Sequence, residues 1–270
     1  MLNLIDKKIR QAFSDAALHY DVLTSLQKEI GRDLLARLRS IENGLFIDEG
    51  EKQINILDVG MGTGWLTKRL KNFFVDAQVY GLDFAPGMID VAKPRPEGIK
   101  IVEANACELP FEKEYFDLVV SNLAYQWIGN LPRAFEEVFR TLKPKGYFYF
   151  TLFGGATCQE LFDSLEKTSE KSFSQGLPID RLATLEAVRE ALKESGFQNP
   201  RLQQERIKVR FPDMLSLVKW LKDTGANALD REFFIGKEWL TRANDHYNQT
   251  FCDHLGVFST FEVIWVEASK

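Results

Sequence analysis

The chain of 270 residues is 45% hydrophobic and has a net charge of −5, which suits one large domain, or one domain with an inserted cap, around a sizeable core. The acidic balance argues against generic binding to nucleic acid or an anionic membrane, although a local basic patch is compatible with it. No apolar run reaches the ~20 residues of a membrane span, the first residues lack a long apolar leader, and Cys107, Cys158 and Cys252 are too few and too scattered for a disulfide framework or a zinc site. A cytoplasmic protein with reduced thiols is therefore expected, with no membrane or nucleic-acid partner.

From Lys7 to about Ile41 the pattern is helical, with Ile30, Leu34, Leu35, Leu38 and Ile41 on one face. This N-terminal segment, residues 1–50, is expected to fold over the sheet that follows. Asn43-Gly44 and the polar run from Asp48 to Gln53 end it. Ile54-Asn-Ile-Leu-Asp-Val59 reads as a buried strand, and Gly60, Gly62 and Gly64 impose a tight turn without side chains. Leu66, Leu70, Phe73 and Phe74 mark a helix, and Gln78-Val-Tyr-Gly-Leu-Asp83 a second strand ending in a carboxylate. Strand, glycine turn, helix, strand and terminal acid form a nucleotide-binding βαβ unit, in which the acid accepts hydrogen bonds from a ribose.

Farther on, Ala85 to Ala92 begins a helix with Pro86 in its first turn, and the Pro-rich cluster from Lys93 to Gly98 stops it. Ile99–Ala104, Phe116–Ser121 and Tyr147–Phe153 are strand candidates, with a helix over Leu131–Leu142 and a turn at Lys143-Pro-Lys-Gly146. The alternation predicts an α/β fold with a mainly parallel, doubly wound sheet. Thr184–Gly196 reads as a helix, Arg201–Phe211 as a strand, Met214–Leu221 and Lys237–Gln249 as helices, and Val257–Val266 as a closing strand. Two helices between two late strands suggest a helical cap at 212–254 inserted into a core of 51–211 and 255–270.

The spacing Gly60-x-Gly62-x-Gly64 differs from the dehydrogenase pattern, whose last glycine falls one residue later. Asp58, two residues before the turn, would repel a pyrophosphate but suits a cationic ligand. Asp58 and Asp83 around a short glycine turn favour S-adenosylmethionine, with its sulfonium and ammonium near the turn. The alternative is a purely structural glycine turn in a flavodoxin-like or dehydrogenase fold.

Leu57-Asp-Val-Gly-Met-Gly-Thr-Gly64, Asp83, Asn105-Ala-Cys-Glu-Leu-Pro-Phe111 and Phe116-Asp-Leu-Val-Val-Ser-Asn122 resemble four motifs of the Rossmann-like class I S-adenosylmethionine-dependent methyltransferases. A narrower resemblance joins Phe13-x-x-Ala-Ala-x-x-Tyr20-Asp21 with Gln27, Ser121-Asn-Leu-Ala-Tyr-Gln-Trp127, Phe150-Thr-Leu-Phe-Gly with Gln159-Glu-Leu161, and Leu221-Lys-x-x-Gly-Ala226. Over nearly the whole chain these resemble the malonyl-carrier-protein O-methyltransferases of biotin synthesis. The resemblance implies methylation of the free carboxylate of malonyl carried on acyl carrier protein. Met61 stands where that family usually has Cys, and Asn105 where it has Asp; a backbone contact survives the first change, and an amide oxygen still accepts from an adenine amino group after the second.

The resemblance implies cofactor contacts from Asp58, Gly60, Met61, Gly62, Gly64, Asp83, Phe84, Met88, Asn105, Ala106, Asn122 and Leu123. It places Tyr20 at the transferring methyl or the substrate carboxylate, with His19, Gln126 and Trp127 near the substrate. Each has a plainer reading: Tyr20 as an anchor of its helix, Trp127 as packing over the cofactor, Met88 as core filling, and His19, His246 and His254 as structural or surface residues. The sequence shows no metal-ligand cluster or nucleophilic triad. A carboxylate of pKa about 4 needs no strong base, so the chemistry requires alignment and exclusion of water instead.

An acidic carrier would dock on basic side chains, for which Arg206, Lys208, Arg210, Lys219, Lys222, Arg231, Lys237 and Arg242 are candidates, interspersed with Asp223, Asp230, Glu232 and Glu238. A solvated helix face has the same composition. Rival functions are methylation of another small carboxylate or a quinone precursor, a non-catalytic S-adenosylmethionine-binding regulator, and a dinucleotide oxidoreductase.

Overall fold

The computed structural model describes residues 4–45, 53–93, 98–169, 182–226 and 236–270. Most of the expected link from Asp48 to Gln53 and of the cluster from Lys93 to Gly98, together with Arg231 of the basic group and the interspersed Asp230 and Glu232, lie outside the described residues. The chain opens with helices α1 (Leu4–Leu23) and α2 (Ser25–Leu45). One continuous helical pattern thus becomes two helices that meet at Thr24. Its hydroxyl donates back to the Tyr20 carbonyl at 2.8 Å, a local bond that bends helices.

Next come β1 (Asn55–Val59), α3 (Trp65–Phe73), β2 (Gln78–Asp83), α4 (Pro86–Ala92), β3 (Ile99–Glu103), β4 (Phe116–Asn122), α5 (Leu131–Thr141) and β5 (Leu142–Phe153). The final part holds α6 (Gln159–Lys167), α7 (Leu185–Glu194), β6 (Arg201–Phe211), α8 (Met214–Asp223), α9 (Lys237–Thr250), the short β7 (Cys252–Asp253) and β8 (Gly256–Ser269). The strands order as β3-β2-β1-β4-β5-β8-β6, with β7 against β8. β1 to β5 pair in parallel, and β8 runs antiparallel to both β5 and β6.

Alternation along the central strands sends side chains to two cores. Ile56, Leu118 and Val120 face α2 and α3, together with Met214, Leu217, Ala243 and Tyr247 of α8 and α9. Leu57, Val59, Val119, Phe148 and Phe150 face α5 and α7. The two late helices follow β6 as expected, yet they share the core of the main sheet rather than building one of their own.

Two local expectations are corrected, the first being that Asn43-Gly44 ends the N-terminal helix, since α2 runs through both residues to Leu45. Lys143-Pro-Lys-Gly146 is part of β5, where the register slips so that Phe116 pairs with Leu142 and Leu118 with Tyr147. Helix α6 carries no sequence start signal, because its N-cap is Cys158 in the left-handed region, φ +57°, with no side-chain cap. A 3-10 turn, Tyr125–Trp127, follows β4.

Candidate active site

The site lies at the carboxyl ends of the parallel strands, where the strand order reverses between β1 and β4 and an open α/β sheet leaves a crevice. Gly60, Gly62 and Gly64 have φ of +71°, +55° and +77°. A Cβ on Gly60 would stand 2.3 Å from that of Ala124, so the turn needs glycine there for space as well as for conformation. The N–H groups of Gly60 and Met61 donate to the Leu82 carbonyl at 2.8 and 2.9 Å, and that of Gly62 donates to Asp83 Oδ2 at 2.8 Å. The turn is therefore fastened to the end of β2.

Asp83 also accepts the Ala85 N–H through Oδ1 at 2.9 Å, which fixes the start of α4. Burial raises its carboxyl pKa, and the donors Ala85, Gly62 and Phe84 oppose that shift. Three donors leave the carboxylate one of its roughly four acceptor sites for a ligand hydroxyl. Asp58 is placed differently. Its Oδ2 accepts the Thr67 hydroxyl at 2.6 Å, while Oδ1 is buried without a partner among the described residues. Burial pushes the Asp58 carboxyl up to about 7; the Thr67 hydrogen bond opposes the rise and Asp83 adds to it.

A cavity of about 410 Å³ opens beside the turn, within the roughly 300–1,000 Å³ of ligand pockets. Eleven of the expected residues line it: Gly60, Gly62, Asp83, Phe84 and Met88 from the turn, β2 and α4; Asn105 and Ala106 after β3; Asn122, Leu123 and Trp127 after β4; and Tyr20 from α1. Five do not. Asp58 lies behind the turn. The Met61 side chain packs with Ile89 and Ala92, and both of its backbone groups serve the turn itself, since its carbonyl accepts the Gly64 N–H at 2.9 Å. Gly64 is the N-cap of α3. His19 is exposed on another face of α1, beside Val22 and Lys222. Gln126 lines a second cavity.

That second cavity, of about 110 Å³, shares Phe13, Tyr20, Leu123 and Trp127 with the first and continues to Gln27, Phe153, Phe162, Trp220 and Phe261. Helix α1 roofs both. It is held on α4 by the Ser14 backbone, which comes so near Gly87 that a Cβ there would meet it at 2.4 Å, and by Arg10 Nε, which donates to the Phe84 carbonyl at 2.7 Å. Phe13 packs edge-on to Trp127 at 5.2 Å and to Tyr20 at 6.4 Å. Burial raises the Tyr20 phenol above its ordinary range, with Asp83 and Asp21 adding to the rise, so it stays a protonated donor.

Behind these residues, Asn122 accepts the Thr151 hydroxyl at 2.9 Å and donates to the Gln27 carbonyl at 2.9 Å, joining β4, β5 and α2. Leu123 adopts φ +55° and donates its N–H to the Thr151 carbonyl at 3.0 Å. Asn105 Oδ1 accepts the Cys107 N–H at 2.9 Å, a local turn that leaves one oxygen lone pair for a ligand. Sequence reasoning missed Asp6, Cys107, Ala124, Gly129 and Asn130 of the first cavity. They come from the first turn of α1 and from loops, and only tertiary placement brings them in.

Three of the seven described members of the basic group are paired with carboxylates of the chain. Lys219 pairs with Asp223, Arg210 with Asp253 at 2.6 Å, and Arg206 with Glu262 at 3.6 Å. Among the described residues, no group of three metal-ligating side chains converges, and no helix is long and apolar enough to cross a membrane.

A mainly parallel sheet with the reversed strand β8, and a glycine turn fastened to an acidic strand end beside a ligand-sized cavity, define a methyltransferase of the Rossmann-like class. Residues 57–150 match the Methyltransferase domain family. Malonyl-[acyl-carrier protein] O-methyltransferases of Methylococcus capsulatus and Hahella chejuensis are 32% and 35% identical to the chain, each over 96% of it and over 92% and 89% of their own lengths. The chain belongs to the malonyl-[acyl-carrier protein] O-methyltransferase family. Its fold is also that of Haemonchus contortus phosphoethanolamine N-methyltransferase 2 crystallised with S-adenosyl-L-methionine, with a TM-score of 0.53 and 19% identity over 88% of this chain and 52% of that one.

Proposed function

We propose that this enzyme works in the cytoplasm and transfers a methyl group from S-adenosylmethionine to the free carboxylate of malonyl carried on acyl carrier protein, the step that disguises the acid for chain extension towards biotin. The observation that carries the reading is the pair of joined cavities, with Tyr20 in the wall common to both, in a chain whose relatives bear that name. S-adenosylmethionine suits the larger cavity. Gly62 leaves open space there, its would-be Cβ meeting only Met88 Sδ at 4.0 Å, and the unpartnered buried Oδ1 of Asp58 puts an acid behind the turn.

When bound, S-adenosylmethionine supplies an electrophilic methyl: a carboxylate oxygen bonds to its carbon as the carbon–sulfur bond breaks, the electron pair stays on sulfur, and both charges are neutralised. The chain's residues align and shield this exchange. Asp83 holds the ribose and Asn105 the adenine amino group. Asp58 lends negative charge behind the turn. The Tyr20 phenol donates to the carboxylate and fixes its approach line, and Phe13, Leu123 and Trp127 exclude water. No general base is called for, because the acceptor is already ionised near neutral pH. Alignment of this kind is worth roughly 7–11 kcal/mol in well-oriented reactions.

The test is incubation with S-adenosylmethionine and malonyl-acyl carrier protein, followed by mass measurement of the acyl group. A gain of one methyl on the carrier-bound acid, with free malonate and quinone precursors methylated far more slowly, is expected. Equal rates on free malonate would remove the carrier from the reading, and cofactor binding without transfer to any acyl carrier would leave a regulator.

A further inference from the structure

Two side-chain amides that line the smaller cavity, Gln27 and Gln126, have buried oxygens, Oε1 in each, without a hydrogen-bond partner among the described residues. Gln126 is pinned: its Nε2 donates to the Leu123 carbonyl at 2.7 Å. Turning the amide over would set its oxygen against that carbonyl, so Oε1 is the end that stays unpaired. The surrounding wall is apolar, with Phe153, Phe162, Trp220 and Phe261. An unpaired buried acceptor is costly unless something donates to it. Two of them on residues that line one largely apolar chamber are acceptors that a ligand apolar along its length and carrying an N–H would satisfy.

We propose that this chamber reads the thioester-linked arm of the acyl carrier, and that Gln126, seconded by Gln27, accepts the N–H of the amide nearest the thioester sulfur. The inference rests on the function proposed above. With the acceptor carboxylate at the Tyr20 boundary of the two cavities, the acyl chain leads away from the methyl donor into the smaller one. Sulfur and two methylenes follow the thioester carbonyl, a stretch that matches the aromatic wall, and the first amide nitrogen comes next. A free dicarboxylate has no such donor. Selection here depends on a site whose polar groups go unpaired with the wrong ligand.

The test uses acyl carrier protein charged with two malonyl arms, one natural and one in which the amide nearest the sulfur is an ester. The two differ by a single N–H in place of oxygen. For the wild-type enzyme kcat/KM is expected to be about tenfold higher with the amide, and Gln126→Met is expected to narrow the ratio to below about threefold. Equal kcat/KM for the two arms in the wild type, with the natural arm methylated normally, overturns the assignment of Gln126 and leaves the proposed function standing. No methylation of the natural arm by the wild type overturns the function itself. The wild-type comparison is decisive even if Gln126→Met folds poorly.

Discussion

Thr63 donates its hydroxyl to Asp21 across 2.7 Å, so the glycine turn and the helix that roofs the site are tied together one residue from Tyr20. Lys28 stands 3.6 Å from the same carboxylate and leaves the tie intact. Thr63→Val is expected to slow turnover several-fold with a smaller effect on S-adenosylmethionine affinity, because the turn keeps its backbone bonds to Leu82 and Asp83 while the end of α1 loosens. A double-mutant cycle with Asp21→Ala measures the tie directly. A hydrogen bond to a charged, half-buried acceptor predicts a coupling of about 1–2 kcal/mol, and additive losses would refute it.

Asp58 predicts a proton linked to cofactor binding. Its folded value of about 7 lies above the ~3.9 of an unfolded aspartate, so between those values the folded enzyme binds more protons than the unfolded chain. Without ligand, stability contributed by this group is greatest in acid and is lost as pH rises from ~4 to ~7. A cationic ligand near the turn favours the ionised form. Binding at pH 6 is therefore expected to release close to one proton, and affinity to rise with pH up to about 7. Calorimetry in two buffers of different ionisation heat counts that proton, and Asp58→Asn should abolish it. Proton release that survives the substitution would place the linkage elsewhere.

The glycines of the turn separate space from conformation. Gly60→Ala meets both obstacles, a positive φ and the Ala124 Cβ at 2.3 Å, and is expected to cost several kcal/mol, at the upper end of single substitutions. Gly62→Ala meets only the positive φ, a strain of about 1–2 kcal/mol, but its new methyl would project beside the cavity. Thermal melts should show the larger loss for Gly60→Ala. The loss of cofactor affinity per unit of lost stability should be larger for Gly62→Ala, and the reverse order would contradict the geometry of the turn.

The first half of the sheet was legible because its signals are local. A buried strand, three alternating glycines and an amphipathic helix each leave their own periodicity, and β1, α3 and β2 follow the expected bounds within a residue or two. What escaped depends on contacts distant in sequence. Strand alternation carries no direction, so the reversal of β8 between β5 and β6 left no mark. The bend at Thr24 arises from one side-chain hydrogen bond inside an unbroken helical pattern. The site divides in the same way. Gly60, Gly62 and Asp83 declare themselves through motif spacing, whereas Asp6, Cys107 and Asn130 reach the cavity only once α1 and two loops are folded over it. Met61 and Gly64 shape the turn without lining the cavity, and His19 shares a helix with Tyr20 but not its face.

Tyr20 and Asp83 should divide turnover from binding. The Tyr20 phenol is held protonated by burial and by the carboxylates of Asp83 and Asp21, so it donates across the working pH range. Tyr20→Phe removes the hydrogen bond proposed to the acceptor and keeps the ring that packs edge-on to Phe13. A loss of about 1.4 kcal/mol in the transition state, or roughly tenfold in kcat, is expected with little change in S-adenosylmethionine affinity. Asp83→Ala acts on the other side. It removes the expected ribose acceptor and also the partner of the Gly62 and Ala85 N–H groups, so affinity should fall by at least tenfold and the melting temperature should fall with it. Steady-state kinetics beside calorimetric affinities separate the two. A tyrosine variant that binds cofactor poorly but turns over normally would exchange the roles assigned to the pair.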